Sequence, residues 1–136
     1  MPSRTSDDLG KLVLRLCLGV LLLLHGVAKL RHGIDWLAGP LAAHGLPPFV
    51  SYGVYLGEVL APVLMILGLF TRLGALIAVF NMLFVFGLVH MDELLSLSKT
   101  GGWALELQGF FLFTALAVLL LGAGRFSLGG VNGRWN

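Results

Sequence analysis

Four long apolar stretches, separated by short polar or glycine- and proline-containing segments, give the chain its pattern. They cover residues 11–30, 51–70, 72–91 and 103–123. Each is close to the ~20 residues that an α-helix needs to cross about 30 Å of hydrocarbon. The pattern predicts an all-α membrane protein, a four-transmembrane-helix bundle, with an N-terminal tail over residues 1–10 and a C-terminal tail over residues 124–136.

A cleaved signal peptide is the competing interpretation of the first apolar stretch. Arg15 interrupts that stretch, however, and Lys29 and Arg31 follow it where a signal peptide needs small residues for cleavage. We therefore expect an uncleaved first span. A loop over residues 31–50 then leads to the second span, and the short Thr71-Arg72 turn makes the second and third spans antiparallel neighbours.

The basic residues favour one orientation of this bundle. Four spans put both termini on one side of the membrane, together with six of the nine basic residues: Arg4, Lys11, Arg15, Arg72, Arg125 and Arg134. The other side has Lys29, Arg31 and Lys99. Because cytoplasmic segments carry an excess of Lys and Arg, we expect both termini in the cytoplasm.

The composition excludes several classes of protein. The 136 residues are 57% apolar and only 12% charged, whereas soluble domains carry about 25% charged residues. The net charge of +2 and the scattered basic residues give no support to nucleic-acid binding. A single cysteine, Cys17, allows neither a disulfide within the chain nor a Cys-x-x-Cys pair. The partner that this composition implies is the lipid bilayer.

The second apolar stretch contains an ionisable residue, Glu58, followed one helical turn later by Pro62. Proline has no N–H to donate to the carbonyl four residues before it, which here belongs to Glu58. A charge at the bilayer centre costs about 3 kcal/mol on insertion scales. Glu58 is therefore expected to face other helices, water or a ligand, and Pro62 is expected to bend the helix.

With the predicted topology, five ionisable residues share the outer half of the bundle. They form the candidate ligand or proton site: Glu58, His25, Lys29, His90 and Glu106. Each also has a structural interpretation. Lys29 is long enough to reach the interface or to pair with Glu58, and His90 and Glu106 lie close enough to the span ends to meet headgroup water.

Five other residues are predicted to have structural roles. We expect Arg15, Arg72 and Arg125 to form a basic layer at the cytoplasmic end and to anchor the helices at the membrane surface. Asn81, near the centre of the third span, is expected to form an interhelical hydrogen bond. Pro62 is the predicted bend in the second span.

The residue types narrow the chemistry of this site. Histidine and carboxylate are metal ligands, but no His-x-x-His or Cys-x-x-Cys spacing is present, so no metal site is predicted. Phosphate-loop and dinucleotide fingerprints are absent as well. A quinone head group needs polar groups for its carbonyls inside an apolar and aromatic slot. A histidine and a carboxylate near one membrane face suit that chemistry, with no cofactor certain.

Several short motifs, taken in order, carry a family resemblance. They are Arg15 with Gly19, the segments HGVAKL (residues 25–30), GLP (45–47), GE (57–58), GLFTR (68–72) and GAGRFSL (122–128). Over nearly its whole length the chain resembles the DoxX family of small four-span membrane proteins. The family pattern often continues with an aspartate where this chain has Gly129.

The resemblance implies a component of redox or oxidative-stress systems in the bacterial cytoplasmic (inner) membrane. The family includes relatives of the membrane subunit of thiosulfate:quinone oxidoreductase and members that associate with soluble redox enzymes. Three hypotheses follow: a redox subunit that binds a quinone near Glu58 and His25, a non-enzymatic scaffold for a soluble redox enzyme, or a homo-oligomeric small permease or proton path. The first would make the chain a subunit of a quinone-linked oxidoreductase, with its catalytic residues unknown.

Overall fold

The computed structural model describes residues 3 to 136, and helices make up most of that part. The helices are α1 (Ser3–His32), α2 (Ala38–Ala43), α3 (Pro48–Leu67), α4 (Thr71–Val89) and α5 (Glu106–Leu121). Short 3₁₀ turns cover Asp35–Leu37 and Met91–Glu93. The described residues form no strand beyond an isolated bridge between Leu97 and Trp103. The predicted all-α class is confirmed.

Three of these helices are long and apolar enough to cross a membrane. They are α1, α3 and α4, and the apolar helix α5 is shorter, with 16 residues. At 1.5 Å per residue, α5 is about 24 Å long and falls short of a full hydrocarbon thickness. The apolar helices place the protein in a lipid bilayer, while the fourth crossing and the cytoplasmic side of the termini stay predictions.

The first helix begins earlier than the apolar pattern predicts. Residues 3–10, which the sequence predicts as a tail, form the first turns of α1, and Met1 and Pro2 lie outside the described residues. The side chains of these first turns contact the C-terminal tail. Nε of Arg125 lies 3.4 Å from Oδ2 of Asp8, and Nη2 of Arg125 donates to the Thr5 hydroxyl at 2.8 Å. The C-terminal tail thus packs against the polar start of α1.

The core lies between α1, α3, α4 and α5. Its buried residues are aliphatic or small, with one aromatic ring: Leu18, Leu22, Ala61, Met65, Ala75, Ala78, Met82, Phe111, Ala115 and Val118. The alanines allow the helices to approach closely. In a membrane, where burial against lipid or protein is equally apolar, this van der Waals packing stabilises the helix contacts in place of the hydrophobic effect.

Helices α1 and α3 approach each other most closely at two glycines of α1. A Cβ added at Gly26 would overlap the carbonyl oxygen of Glu58, and one added at Gly19 would lie 2.7 Å from Cγ1 of Ile66. Gly19 and Gly26 are seven residues apart and share one helix face. The backbone of Glu58 therefore packs directly against α1.

Helix α3 changes its winding at the same place. The segment Leu56–Leu60 is π-helical, and the N–H of Ala61 donates to the carbonyl of Leu56, five residues earlier. Pro62 follows immediately and has no N–H. The helix thus has a wider turn, containing Glu58, directly before the proline at which a bend is predicted. Single π-helical turns of this kind occur frequently at functional sites.

Arg15 is buried, although the sequence predicts an anchor at the membrane surface. Its side chain is 1% exposed. Nη1 donates to the carbonyls of Met65 at 2.6 Å and Ile66 at 2.9 Å, and Nη2 donates to that of Phe126 at 2.6 Å. The carbonyls at the end of α3 replace headgroup water as its partners. One guanidinium therefore joins α1, α3 and the C-terminal tail.

The tail closes this end of the bundle through Asn136. Its Oδ1 accepts from the N–H and the hydroxyl of Thr71, at 3.2 and 2.8 Å, and its Nδ2 donates to the carbonyl of Gly130 at 2.8 Å. Arg72 donates its N–H to Trp135 and its guanidinium to the carbonyl of Leu119 at 3.0 Å. The tail and the turn between α3 and α4 form one hydrogen-bonded unit.

Replacing Arg15 by Met is expected to destabilise the fold strongly. The exchange leaves three carbonyls without their donor, and each hydrogen bond to a charged group contributes about 1.5–3 kcal/mol. We expect a loss of at least ~3 kcal/mol, measured by thermal unfolding in mild detergent. Arg31→Met, at an exposed position of the same helix, is the control. An unchanged unfolding midpoint for Arg15→Met would contradict this role.

Adding a methyl group at Gly26 is expected to force α1 away from α3. Overpacking of this kind costs about 1–3 kcal/mol. Gly87 is the matched control, because it also lies within a helix but a Cβ there meets no atom within 4 Å. Gly26→Ala should unfold at a lower temperature than the parent protein, whereas Gly87→Ala should unfold at the same or a higher one. Equal effects of the two substitutions would refute the close contact.

Candidate functional site

A small cavity lies inside the bundle, at the end where α1 finishes and α3 begins. It has a volume of about 110 Å³. The polar side chains that line it are His25, Lys29, Glu58, His90 and Gln108. Its remaining walls are apolar or aromatic. Since a water molecule occupies about 30 Å³ of the liquid, the cavity has room for roughly three or four waters.

The cavity centres on an ion pair between α1 and α3. Nζ of Lys29 donates a hydrogen bond to Oε2 of Glu58. The Glu58 side chain is only 5% exposed and that of Lys29 is 22% exposed. The hydroxyl of Tyr55 donates to the Lys29 carbonyl at 3.3 Å, near the end of α1. The carboxylate is thus buried with its partner, while the ammonium keeps access to the cavity.

His25 lies at the rim of the cavity, one turn before Lys29 on α1. The residue is exposed, and its ring packs edge-on against Phe111 of α5, with 5.5 Å between the ring centroids and 83° between the ring planes. It therefore borders both the cavity and the outside of the bundle, where a molecule dissolved in the bilayer can reach it.

His90 closes the cavity from α4. Its Nδ1 is buried and has no hydrogen-bond partner among residues 3–136. The carboxylate of Glu93 lies 3.8 Å away, beyond hydrogen-bond distance. The imidazole therefore forms part of the cavity wall, with Nδ1 buried and unpaired within the described residues.

The connection between α1 and α3 covers this end of the cavity. Its buried residues Ile34, Leu37 and Leu41 pack with Val54 of α3. Leu37 lines the cavity together with Trp36, whose side chain is 54% exposed. The segment therefore forms one wall of the cavity beside the ion pair.

The structure brings together four of the five candidate residues and leaves Glu106 outside. Glu106 is exposed, and it lines a different groove of α5 with Trp103 and Phe110. Gln108 takes the place in the cavity instead. Gln108 continues the helical stripe of the buried residues Phe111, Ala115 and Val118. Because α5 is apolar on nearly all sides, its sequence does not mark this stripe as the one that faces the core.

Asn81 also differs from its predicted environment. Its side chain packs on Gly57 of the π segment and is 7% exposed. Its Nδ2 nevertheless has no partner within the described part of the chain. The expected interhelical hydrogen bond is missing because α3 presents a glycine at this contact, which supplies room but no polar group.

The comparison with protein families agrees with this helical arrangement. A sequence model of the DoxX family matches residues 10–91. The match covers more than half of the chain, including most of α1, the whole of α3 and α4, and the residues Lys29 and Glu58. This chain belongs to the DoxX family. Comparisons with curated proteins and with solved structures yield no match.

Some residues that line the cavity lie beyond the segment that matches the DoxX family model. Gln108 and Phe111 belong to α5, which follows residue 91, as does the tail that binds Arg15. Helix α5 nevertheless packs closely against α4 and supplies one wall of the cavity. The matched segment alone therefore encloses neither the ion pair nor the core.

In chemical terms the cavity is suited to proton exchange. Histidine, lysine and carboxylate side chains border a space of a few waters, and one histidine reaches the outside. Within residues 3–136, no group of three or more His, Cys, Asp or Glu side chains is arranged to hold a metal ion. Arg72 and Arg125 lie at the opposite end of the bundle and take no part in this site.

Removing one member of the ion pair should cost more than removing both. A buried charge without its partner is destabilising by about 3–5 kcal/mol, whereas replacing the whole pair by neutral groups is often tolerated. We expect Lys29→Met to lower the unfolding temperature most, since it strands the more deeply buried Glu58. Glu58→Gln should have a smaller effect, and Lys29→Met combined with Glu58→Gln should recover most of the loss. Additive effects of the two substitutions would disprove the coupling.

Proposed function

We propose that this DoxX protein is a membrane subunit of a redox or oxidative-stress system in the bacterial cytoplasmic membrane, and that it exchanges protons with a quinone near Glu58 and His25. The observation that carries the proposal is the buried Lys29–Glu58 pair in a water-sized cavity. Such a pair contributes little net stability for its desolvation cost. A role in proton exchange accounts for its presence.

Reduction of a quinone to a quinol takes up two electrons and two protons. A soluble redox enzyme docked on the membrane subunit would supply the electrons, and water would supply the protons through the cavity. His25 suits the final transfer, since an imidazole ring can both donate and accept a proton and this ring lies at the rim. Lys29 and Glu58 would hold water in the cavity and exchange protons with it.

The size of the cavity limits what it binds. Pockets for organic ligands usually have volumes of about 300–1,000 Å³, and this one has about 110 Å³. The polar groups suit a quinone carbonyl at the rim, but the enclosed space does not accept the whole ring. The proposal therefore assigns proton exchange to the cavity and leaves the ring outside it.

The proton-path hypothesis finds less support within a single chain. Toward the opposite end, the cavity meets a layer of apolar side chains, including Leu18, Leu22, Met65 and Val118. Arg15 beyond them is engaged by three carbonyls. A continuous polar route would need a homo-oligomer, and the quinone-linked role needs none.

The decisive experiment compares two glutamates at the same end of the bundle. The protein is purified from native membranes in mild detergent, and its bound small molecules and partner proteins are identified by mass spectrometry. Quinone reduction is then measured with the co-purified partner. Because a positioned proton donor or acceptor contributes about 10²–10⁴-fold to a rate, Glu58→Gln should lower turnover by about 100-fold or more.

Glu106→Gln is the matched control, because Glu106 is the same residue type outside the cavity. It should leave turnover unchanged. Full turnover in Glu58→Gln, together with no quinone in the purified protein, would refute the proposal. A stable partner whose activity is independent of Glu58 would instead identify the protein as a scaffold.

A further inference from the structure

A groove at the other end of the bundle joins α1, the end of α3 and the C-terminal tail. Its volume is about 530 Å³. Two arginines, Arg15 and Arg125, line it together with Ser127, and no carboxylate of residues 3–136 does. Its remaining walls are apolar and come from Leu12, Ile66, Leu67, Phe126 and Leu128. The groove therefore combines positive charge with an apolar surface.

Arg15 brings to this groove a buried charge that no carboxylate of the described residues neutralises. Its guanidinium has three carbonyl partners and takes part in no ion pair within that part of the chain. The negative end of the α3 dipole corresponds to about half an elementary charge, so it offsets only part of the cation. In apolar surroundings charges act over longer distances than in water. An anion in the groove would therefore be stabilised by Arg15 without contacting it.

Arg125 supplies the accessible part of the positive charge. Its side chain is 48% exposed. Nε lies beside Asp8, and Nη2 donates to the hydroxyl of Thr5. A guanidinium has five N–H donors in a planar fork that matches the oxygens of a phosphate. The donors that these two contacts do not use remain available to an anion.

The level of Arg125 in the bundle is that of a lipid head group. Arg125 contacts Thr5 and Asp8 in the polar first turns of α1, whereas Leu12 belongs to the apolar stretch of that helix. Leu67, at the end of α3, is 43% exposed and lies in the same groove as Leu12. A molecule with its charge at Arg125 and an apolar chain directed into the bilayer fits both levels.

The charge of this end of the protein favours an anionic molecule over a zwitterionic one. Basic residues outnumber the two acidic residues, Asp7 and Asp8, by a wide margin. The basic residues of this end are Arg4, Lys11, Arg15, Arg72, Arg125 and Arg134. Each basic side chain near the surface adds to the attraction of anionic lipid, and each repels the ammonium group of a zwitterionic lipid.

We infer that this groove binds an anionic phospholipid, with the phosphate on the Arg125 guanidinium and an acyl chain against Leu12 and Leu67. The inference is independent of the proposed redox function. The lipid would supply the counter-charge that Arg15 lacks among residues 3–136. It would also join α1 to the tail at the end of the bundle that Arg15 holds together.

The acidic surface of a soluble protein is the competing occupant. Such a surface would reach Arg125, which lies at the polar start of α1. It would not cover the apolar walls formed by Leu12, Ile66 and Leu67, because these belong to the apolar parts of α1 and α3. A phospholipid carries both an anionic group and an apolar chain and therefore satisfies the whole groove.

The test titrates the full-length protein in nonionic detergent with dioleoyl phosphatidylglycerol or dioleoyl phosphatidylcholine and counts the bound lipids by native mass spectrometry. We expect phosphatidylglycerol to bind about tenfold more tightly, because the basic residues repel the choline group. Arg125→Gln should weaken phosphatidylglycerol binding by about tenfold, the effect of losing charged hydrogen bonds. Arg134→Gln, at an exposed arginine of the same end outside the groove, is the control and should bind normally.

Two further variants keep the test valid if Arg125→Gln does not fold. Leu67→Trp fills the groove and should abolish the preference for phosphatidylglycerol, whereas Leu60→Trp, at a position of α3 with 44% exposure outside the groove, should retain it. Asp8→Asn removes the carboxylate that competes for Arg125. It should tighten phosphatidylglycerol binding by about two- to fivefold, a gain that misfolding does not produce.

Several outcomes would overturn the inference. Equal affinity for the two lipids, or equal losses in Arg125→Gln and Arg134→Gln, would show general attraction of charge without a site. Unchanged binding in Leu67→Trp would place the lipid outside the groove. The deacylated head group, glycerophosphoglycerol, binding as tightly as the lipid would indicate a site for a soluble phosphate. A soluble protein that co-purifies and is lost in both Arg125→Gln and Leu67→Trp would assign the groove to protein docking.

Discussion

The arrangement of this bundle depends on the buried guanidinium of Arg15. In hydrocarbon every backbone polar group needs a partner within the protein, and the end of a helix leaves carbonyls unpaired. Arg15 donates to two of those carbonyls at the end of α3 and to Phe126 in the C-terminal tail. The cation also offsets the negative end of the helix dipole. One side chain thus sets the relative position of α1, α3 and the tail.

The opposite end of the bundle follows from the same pairing of α1 with α3. Arg15 holds the first half of α1 against the end of α3. Farther along, the two helices meet again at Gly26 and the Glu58 carbonyl, to which Pro62 supplies no N–H. The π segment widens α3 at this point and turns Glu58 toward Lys29, one turn beyond Gly26. The buried ion pair is therefore a consequence of close backbone packing as well as of charge.

Apolar pattern and residue type predict much of this structure. The long helices follow from runs of apolar residues, and the expected depth of Glu58 points to Lys29 as its partner. The place of Gln108 in the cavity instead of Glu106 could not be predicted, because α5 is apolar on nearly all sides and its sequence does not show which side faces the core. For the C-terminal tail, the sequence predicts only its boundaries. Its contacts with Thr71 and Arg15 could not be predicted, because they join residues more than sixty positions apart. The π segment also interrupts the uniform rotation of 100° per residue from which the faces of a helix are assigned in a sequence.

The ion pair lies inside the bundle, away from the lipid-facing groove between α3 and α4, which is lined by apolar side chains such as Phe80 and Phe84. A charged pair in contact with hydrocarbon would lose its hydration without any polar group to replace it. Val54 lines both spaces and helps to keep the charged groups apart from the lipid-facing side. Apolar side chains of similar size would fill the interior at least as stably as the Lys29–Glu58 pair does. Stability alone therefore does not account for the pair, whereas the proposed exchange of protons would give both residues a role.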